Sequence, residues 1–325
     1  MQMSKQVIGI DIGGTTVKIG MLSDSGDILD KWEIPTKKEK GGAGITADIW
    51  QSITAHMAAS GTDKTDILGM GVGAPGFIDG ETGFVYEAVN VGWKDFPLAE
   101  KLKQDSGLPV FVINDANIAV LGENWRGAGN QAKNVIAITL GTGVGGGIIA
   151  NGQILNGENG MAGEIGHITV ELGGHLCNCG RRGCLETVAS ATGMVRQAMH
   201  EAKEAPVSLL AARLRERGEI TSKDIFELAE MGDQASQQII DRTADVLGLV
   251  LANMGAMINP SKILIGGGVS KAGEQLIDAI RIAFEKYALA RVSAICDIKA
   301  AQLGNDAGII GGAFLVEQKL LNVQF

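Results

Sequence analysis

The chain has 325 residues, 45% of them hydrophobic, with 28 lysines and arginines against 37 aspartates and glutamates for a formal net charge of -9. Such a length and apolar content exclude a disordered polypeptide and leave room for two domains. The acidic surplus, uninterrupted by a Lys/Arg stripe, argues against nucleic acid or an anionic membrane as a partner; no apolar run reaches bilayer length, and without an export leader the expected location is the cytoplasm.

Glycine is about twice as common as in an average soluble domain, with 47 residues, and it concentrates just beyond strand-like runs. The first case is N-terminal. A β-branched apolar run from Gln6 to Asp11 leads through Ile12-Gly13-Gly14-Thr15-Thr16 to a second run, Val17 to Leu22. This reads as two strands about a tight turn. It matches neither a dinucleotide fingerprint nor a P-loop. The turn offers N–H groups and the hydroxyls of Thr15 and Thr16 to a phosphate, and Asp11 is a carboxylate suited to hydrated Mg²⁺. Lys18 lies close by in sequence, its direction left open by the alternation.

A turn at Gly26-Asp27 leads into a third strand ending near Pro35; Lys37 to Gly44 reads as a polar loop and Ile45 to Ala59 as a helix. Gly69 to Gly73 is a buried strand running into the rigid turn Ala74-Pro75-Gly76. From there to Phe96 the pattern is irregular, and Asn90 within it is either a hydrogen-bonding partner for a polyhydroxylated ligand or a turn residue. Pro97 opens a short helix to Gln104. A strand over Leu108 to Ile113 is followed by Asn114-Asp115-Ala116-Asn117 and a helical pattern through Trp125. Asp115 therefore sits where α/β sheets place ligands and where a helix dipole keeps a carboxylate ionised. A plain helix cap is an equal reading.

Val135 to Leu140, Gly141-Thr142-Gly143-Val144-Gly145-Gly146-Gly147 and Ile148 to Ala150 repeat the N-terminal order of strand, Gly/Thr turn and strand. The repeat implies a duplicated core, with two similarly built lobes each carrying a phosphate-facing hairpin around one nucleotide. Next comes Glu164 to Glu186, EIGHITVELGGHLCNCGRRGCLE. Cys177, Cys179 and Cys184 fall within eight residues, with His167 ten positions upstream. Three thiolates and one imidazole saturate a tetrahedral zinc and leave no position for water, so such an ion is structural. Free thiols are the bland alternative, while a disulfide within Cys-x-Cys would close a cramped ring. His175 reads as a loop residue and Cys296 as a lone core thiol.

The remainder is mainly helical: Val188 to Glu204, Leu209 to Arg217, Ser222 to Met231, and a long core helix from Asp233 to Ile258 stopped by Pro260. A strand over Lys262 to Ile265 enters Gly266-Gly267-Gly268-Val269 and a helix from Ser270 to Ala288. Gly267 and Gly268 either admit a purine and its sugar or permit a tight bend. A last helix runs from Gly304 to about Leu320.

Together these motifs resemble the ROK family of sugar kinases and repressors. The resemblance is carried by Asp11-Ile12-Gly13-Gly14-Thr15, Asn114-Asp115-Ala116-Asn117, Gly141-Thr142-Gly143-Val144-Gly145, Glu164-Ile165-Gly166-His167 and Cys177-x-Cys179-Gly180-x-x-Gly183-Cys184-x-Glu186. It implies an α/β, two-lobed, actin-like (ribonuclease H-like) ATPase fold with an inserted zinc segment. The smaller lobe is then 1–118 plus about 304–325 and the larger 119–303. It also implies transfer from MgATP to the 6-hydroxyl of glucose, with Asp115 as general base. Asn90, Asn114, Glu164, His167 and Glu186 would hold the sugar. Asp11, Gly13, Gly14, Thr15, Thr16, Lys18, Gly141, Thr142, Gly143, Gly267 and Gly268 would face the nucleotide, and His167, Cys177, Cys179 and Cys184 would hold one structural zinc. A homodimer or homotetramer is the family expectation. Mannose, fructose or N-acetylmannosamine is the alternative substrate. A repressor is disfavoured because the first strand begins by about Gln6, leaving no room for a DNA-binding module.

Overall fold

The computed structural model describes residues 5–269, 274–323 and 325. Thirteen strands are found among them. These are β1 (Gln6–Ile12), β2 (Thr16–Ser23), β3 (Ile28–Pro35), β4 (Ile67–Ala74), β5 (Phe77–Ile78), β6 (Val85–Ala88), β7 (Trp93–Phe96), β8 (Val110–Asn114), β9 (Val135–Leu140), β10 (Val144–Ala150), β11 (Gln153–Ile154), β12 (Lys262–Gly266) and β13 (Asp297–Ala300). They form two five-stranded sheets, ordered β3-β2-β1-β4-β8 and β11-β10-β9-β12-β13, and a small sheet β5-β6-β7. The chain divides into two compact units, Met1–Lys133 with Gly147–Gly163 and Gln302–Phe325, and Asn134–Gly146 with Glu164–Ala301. The helix Asp115–Arg126 falls wholly in the first unit.

In the first unit, β1 pairs antiparallel with β2 and parallel with β4, which pairs parallel with β8. One face of this sheet packs against helices Ile45–Ser60 and Leu98–Ser106, burying Ile8, Ile10, Ile12, Ile49, Ile53 and Leu102 completely. Each such side chain contributes about 1.5–3 kcal/mol by leaving water. Against Val7 and Leu22 lies the C-terminal helix Ala307–Leu321. Its approach is close enough to require glycine: a Cβ on Gly9 would stand 1.8 Å from the carbonyl oxygen of Ile309, and one on Gly71 1.9 Å from that of Gly312.

Between Gly76 and Phe96, where the sequence pattern reads as irregular, the chain makes the antiparallel meander β5-β6-β7. These strands are two to four residues long, too short to display an alternation. Burial of Trp93 and its stacking on Phe96, with ring centroids 4.6 Å apart, anchor the meander.

In the second unit, β12 pairs parallel with β9 and with β13. The α-helices among its described residues are Glu186–Ala189, Ala191–Glu204, Leu209–Arg217, Ser222–Glu230, Gln234–Ile258, Glu274–Tyr287 and Ala290–Ser293. The single expected helix over Val188 to Glu204 is two, because Ser190 leaves the helical region at ψ 164° and its side chain caps the second by accepting from the N–H of Gly193. Ser270 to Gly273, the expected start of the next helix, lie outside the described residues.

Candidate active site and metal centre

In the first unit the Gly/Thr turn is closed by the N–H of Gly13 donating to the carbonyl of Thr16 at 2.9 Å. Thr36 then takes two carbonyls of the turn: its N–H donates to Thr15 at 2.9 Å and its hydroxyl to Gly13 at 2.8 Å. With these carbonyls directed at Thr36, the opposite side of the turn is free of their negative ends. Asn90, in the turn between β6 and β7, lies against Gly14: a Cβ there would meet the Asn90 side chain at 3.5 Å. Asp11 and Lys18 are cross-strand partners 3.7 Å apart, which settles the direction of Lys18. Burial pushes the Asp11 carboxyl above its ordinary value, against the pull of Lys18. Gly308 admits the Asp11 side chain to the start of the C-terminal helix, since a Cβ on it would stand 2.8 Å from that of Asp11. A cation bound there would relieve the cost of keeping the buried carboxylate charged.

Asn114 ends β8 and caps the helix Asp115–Arg126, its Oδ1 accepting from the N–H groups of Ala116 and Asn117. Its Nδ2 donates to the carbonyl of Gly76 at 3.2 Å. The cap role weighed for Asp115 is therefore carried mainly by Asn114. Asp115 is half-buried in the first turn, one oxygen accepting from the N–H of Ala116 at 2.8 Å. A carboxylate held by a helix N-terminus stays ionised and able to accept a proton.

In the second unit, a ring nitrogen of His167 and the sulfurs of Cys177, Cys179 and Cys184 all lie within 4.8 Å of one another. Nδ1 is 3.5 Å from the Cys177 sulfur, and the sulfurs of Cys179 and Cys184 are 3.6 Å apart. A tetrahedral ion with bonds of about 2.3 Å needs donors about 3.8 Å apart, so the cluster fits a metal with little movement. Local backbone sets this spacing: Cys184 bridges Thr169, Leu176 bridges Arg182, and the Cys177 N–H donates to the carbonyl of Arg181 at 2.8 Å. Without metal the thiols differ. Burial pushes Cys177 and Cys184 up, whereas the Arg181 backbone N–H lowers Cys179 to about 6.

The remaining His167 nitrogen, Nε2, faces Glu164 at 3.9 Å. Glu186 accepts from the Cys177 thiol at 2.9 Å with Oε1, and its Oε2 would lie 2.8 Å from a Cβ on Gly143. One carboxylate thus adjoins both the metal cluster and the second glycine turn. That turn is tied to the helix Ala191–Glu204, with the Ala191 N–H donating to Gly141 at 2.9 Å and the Thr192 hydroxyl to Thr142 at 3.0 Å. Gly267 leaves β12 at φ +92°, and a Cβ on it would collide with the Leu140 carbonyl oxygen at 2.4 Å. The bend reading thus accounts for Gly267. Gly268 instead borders a cavity of about 400 Å³ with Ser222, Lys223, Phe226, Glu227, Glu230 and Val269. In sequence Ser222 to Met231 reads only as an amphipathic helix, and no periodic signal places Phe226 beside the glycine turn.

A protein with two glycine turns at strand ends, an aspartate at a helix N-terminus and a four-donor metal cluster is of the actin-like α/β kinase class. The ROK family model matches residues 7–319, and the chain belongs to the ROK family. It is 54% identical to a glucokinase of Halalkalibacterium halodurans over 96% of this chain and 95% of that one. A glucokinase of Thermotoga maritima is 37% identical over 97% of this chain and 98% of its own. Among solved structures, a ROK glucokinase of Streptomyces griseus in complex with glucose and AMPPNP superposes with a TM-score of 0.76 at 37% identity, covering 96% of this chain and 99% of that one. Among the described residues no helix is long and apolar enough to cross a membrane.

Proposed function

We propose that the chain is an ATP-dependent glucokinase of the cytoplasm, transferring the γ-phosphoryl group of ATP to the 6-hydroxyl of glucose. The observation that carries this reading is the likeness to glucokinases over nearly the whole chain, 54% identity over 96% in one case. The parallel strand orders of the two five-stranded sheets support the duplicated, ribonuclease H-like core. In quaternary state we favour a homodimer or homotetramer, with no nucleic-acid or membrane partner.

A sugar hydroxyl is a poor nucleophile at neutral pH. Asp115 accepts its proton as the oxygen bonds to phosphorus, and the bond from phosphorus to the ADP oxygen breaks. The helix N-terminus keeps Asp115 in the basic form for this step. Asn114 presents its side chain beside the base in a fixed rotamer, locked by the cap and by Gly76. Glu164, His167 and Glu186 take hydrogen bonds with sugar hydroxyls; His167 keeps Nδ1 for the metal and turns Nε2 outward. The two glycine turns, closed by the N–H groups of Gly13 and Gly141, donate their remaining N–H groups to phosphate oxygens, with Lys18 adding positive charge. Purine and ribose fit the cavity beside Gly268, against Phe226. Asp11 would hold Mg²⁺, which would supply charge neutralisation to the phosphates. His167, Cys177, Cys179 and Cys184 would hold zinc, a fit of donor chemistry that would supply a fixed orientation of the His167 ring.

The test is ADP release by zinc-loaded protein with MgATP and glucose, mannose, fructose or N-acetylmannosamine, and with no sugar. Glucose is expected to give the highest kcat/KM, and Asp115→Asn to lower kcat by about 10²–10⁴-fold. Preference for another sugar would move the substrate assignment; silence with all four would refute the kinase reading.

A further inference from the structure

The loop after β3 leaves one cation standing over the first glycine turn. Nζ of Lys38 would lie 3.8 Å from a Cβ on Gly14, on the same side as Asn90. An exposed lysine is usually only solvated, and Lys38 is exposed. Three features of the loop argue otherwise. Thr36, two residues before it, is bonded to the turn through both its N–H and its hydroxyl, so the chain leaves β3 already fastened to Gly13 and Thr15. Beyond Lys38, residues Lys40, Gly41 and Gly42 have φ of 53°, 67° and 70°, a left-handed turn that costs about 1–2 kcal/mol at the lysine. That turn is held down by the buried Trp93, whose Nε1 donates to the Gly42 carbonyl at 3.0 Å, while the Gly42 N–H donates to the Lys38 carbonyl at 3.2 Å. The loop is thus pinned on both sides of Lys38.

Two neighbouring cations face carboxylates. Lys37 pairs with Asp48 at 3.1 Å and Lys18 with Asp11 at 3.7 Å. Among the described residues, Lys38 forms no ion pair with a carboxylate. A compact ammonium with three donors, carried on a pinned loop beside the glycine turn, matches a phosphoryl group better than a sugar hydroxyl.

We propose that Lys38 is a further phosphoryl-contacting residue, which donates to the γ-phosphoryl group over Gly14 and stabilises its oxygens during transfer. Lys38 stays protonated and forms no covalent bond; the proton of the sugar hydroxyl still goes to Asp115. The inference rests on the reading of the first glycine turn as a phosphate site.

The experiment compares Lys38→Ala, Lys38→Arg and Asp11→Asn with the parent, all zinc-loaded. Steady-state kinetics are measured with MgATP and glucose, and binding of AMPPNP and of AMP by calorimetry. Lys38→Ala is expected to lower kcat by about 30-fold or more, within the range for loss of one transition-state donor. It should weaken AMPPNP about tenfold, leave AMP and the glucose KM within about twofold, and keep the parent melting temperature. Lys38→Arg should recover part of kcat. Equal losses for AMPPNP and AMP, or an unchanged kcat in Lys38→Ala beside an impaired Asp11→Asn, would overturn the role of Lys38 alone. Unimpaired ATP kinetics in Asp11→Asn would remove the phosphate reading of the turn, and the proposal with it.

Discussion

The Glu186 carboxylate accepts a hydrogen bond from the Cys177 thiol at 2.9 Å, joining a metal donor to a sugar-binding candidate. A thiol that ligates a metal loses its proton, and that hydrogen bond goes with it. Glu186 would then be released for the sugar hydroxyls it is proposed to receive. Removing the metal restores the thiol and recaptures the carboxylate. Chelation is therefore expected to raise the glucose KM about tenfold or more, in line with the usual loss when a partner of a metal ligand is disturbed. The KM for ATP should change far less. Metal content measured alongside glucose titrations checks this; full glucose affinity in a folded, metal-free protein would sink it.

Gly141 and Gly268 separate ligand access from packing. A Cβ on either meets nothing within 4 Å, and neither has a left-handed φ. Protein packing therefore does not demand glycine at these positions, whereas the proposed close approach of a nucleotide would. Gly141→Ala is expected to keep its melting temperature within about a degree while raising the KM for ATP about tenfold or more. An unaltered KM would return Gly141 to the role of an ordinary turn residue.

Gly311 has the opposite character. A Cβ on it would stand 1.7 Å from the Ile118 carbonyl oxygen, and one on Gly122 2.1 Å from that of Ala307. These two glycines let the helices Asp115–Arg126 and Ala307–Leu321 touch backbone to backbone. Gly311→Ala should cost about 3 kcal/mol or more, at or beyond the upper end of ordinary overpacking. Gly44→Ala, with open space around it at φ -89°, should be close to neutral. Urea denaturation of both variants checks the contrast.

The same glycines show how far the sequence could be read. Strand-turn-strand order exposed both glycine turns, and cysteine spacing exposed the metal cluster, because each is a local signal. That Gly308, Gly311 and Gly312 pack the last helix against Asp11, Ile118 and Gly71 is long-range, and no window of sequence carries it. Lys38 was hidden for a similar reason. In sequence it belongs to a polar loop, and only the anchors at Thr36 and Trp93 bring it to Gly14. The four-residue strand β13 carries no periodic pattern and was passed over.

Glu317 gives stability a dependence on pH that owes nothing to the active site. It is 5% exposed in the C-terminal helix, and its Oε1 has no hydrogen-bond partner among the described residues. Burial, reinforced by the nearby charge of Asp24, pushes its carboxyl up to about 7. An unfolded glutamate titrates near 4.3. Between those values the folded state holds a proton that the unfolded state has released, so stability falls as pH rises through this window. Above about pH 7 both states are ionised and the loss is complete. It amounts to about 2–3 kcal/mol at 1.4 kcal/mol per unit of displacement, with allowance for relaxation around the charge. Glu317→Gln keeps the shape and removes the titration. It should match the parent near pH 4.5 and exceed it by that amount at pH 8. Urea midpoints at the two pH values decide the matter, and a variant that tracks the parent at both would show that Glu317 ionises without cost.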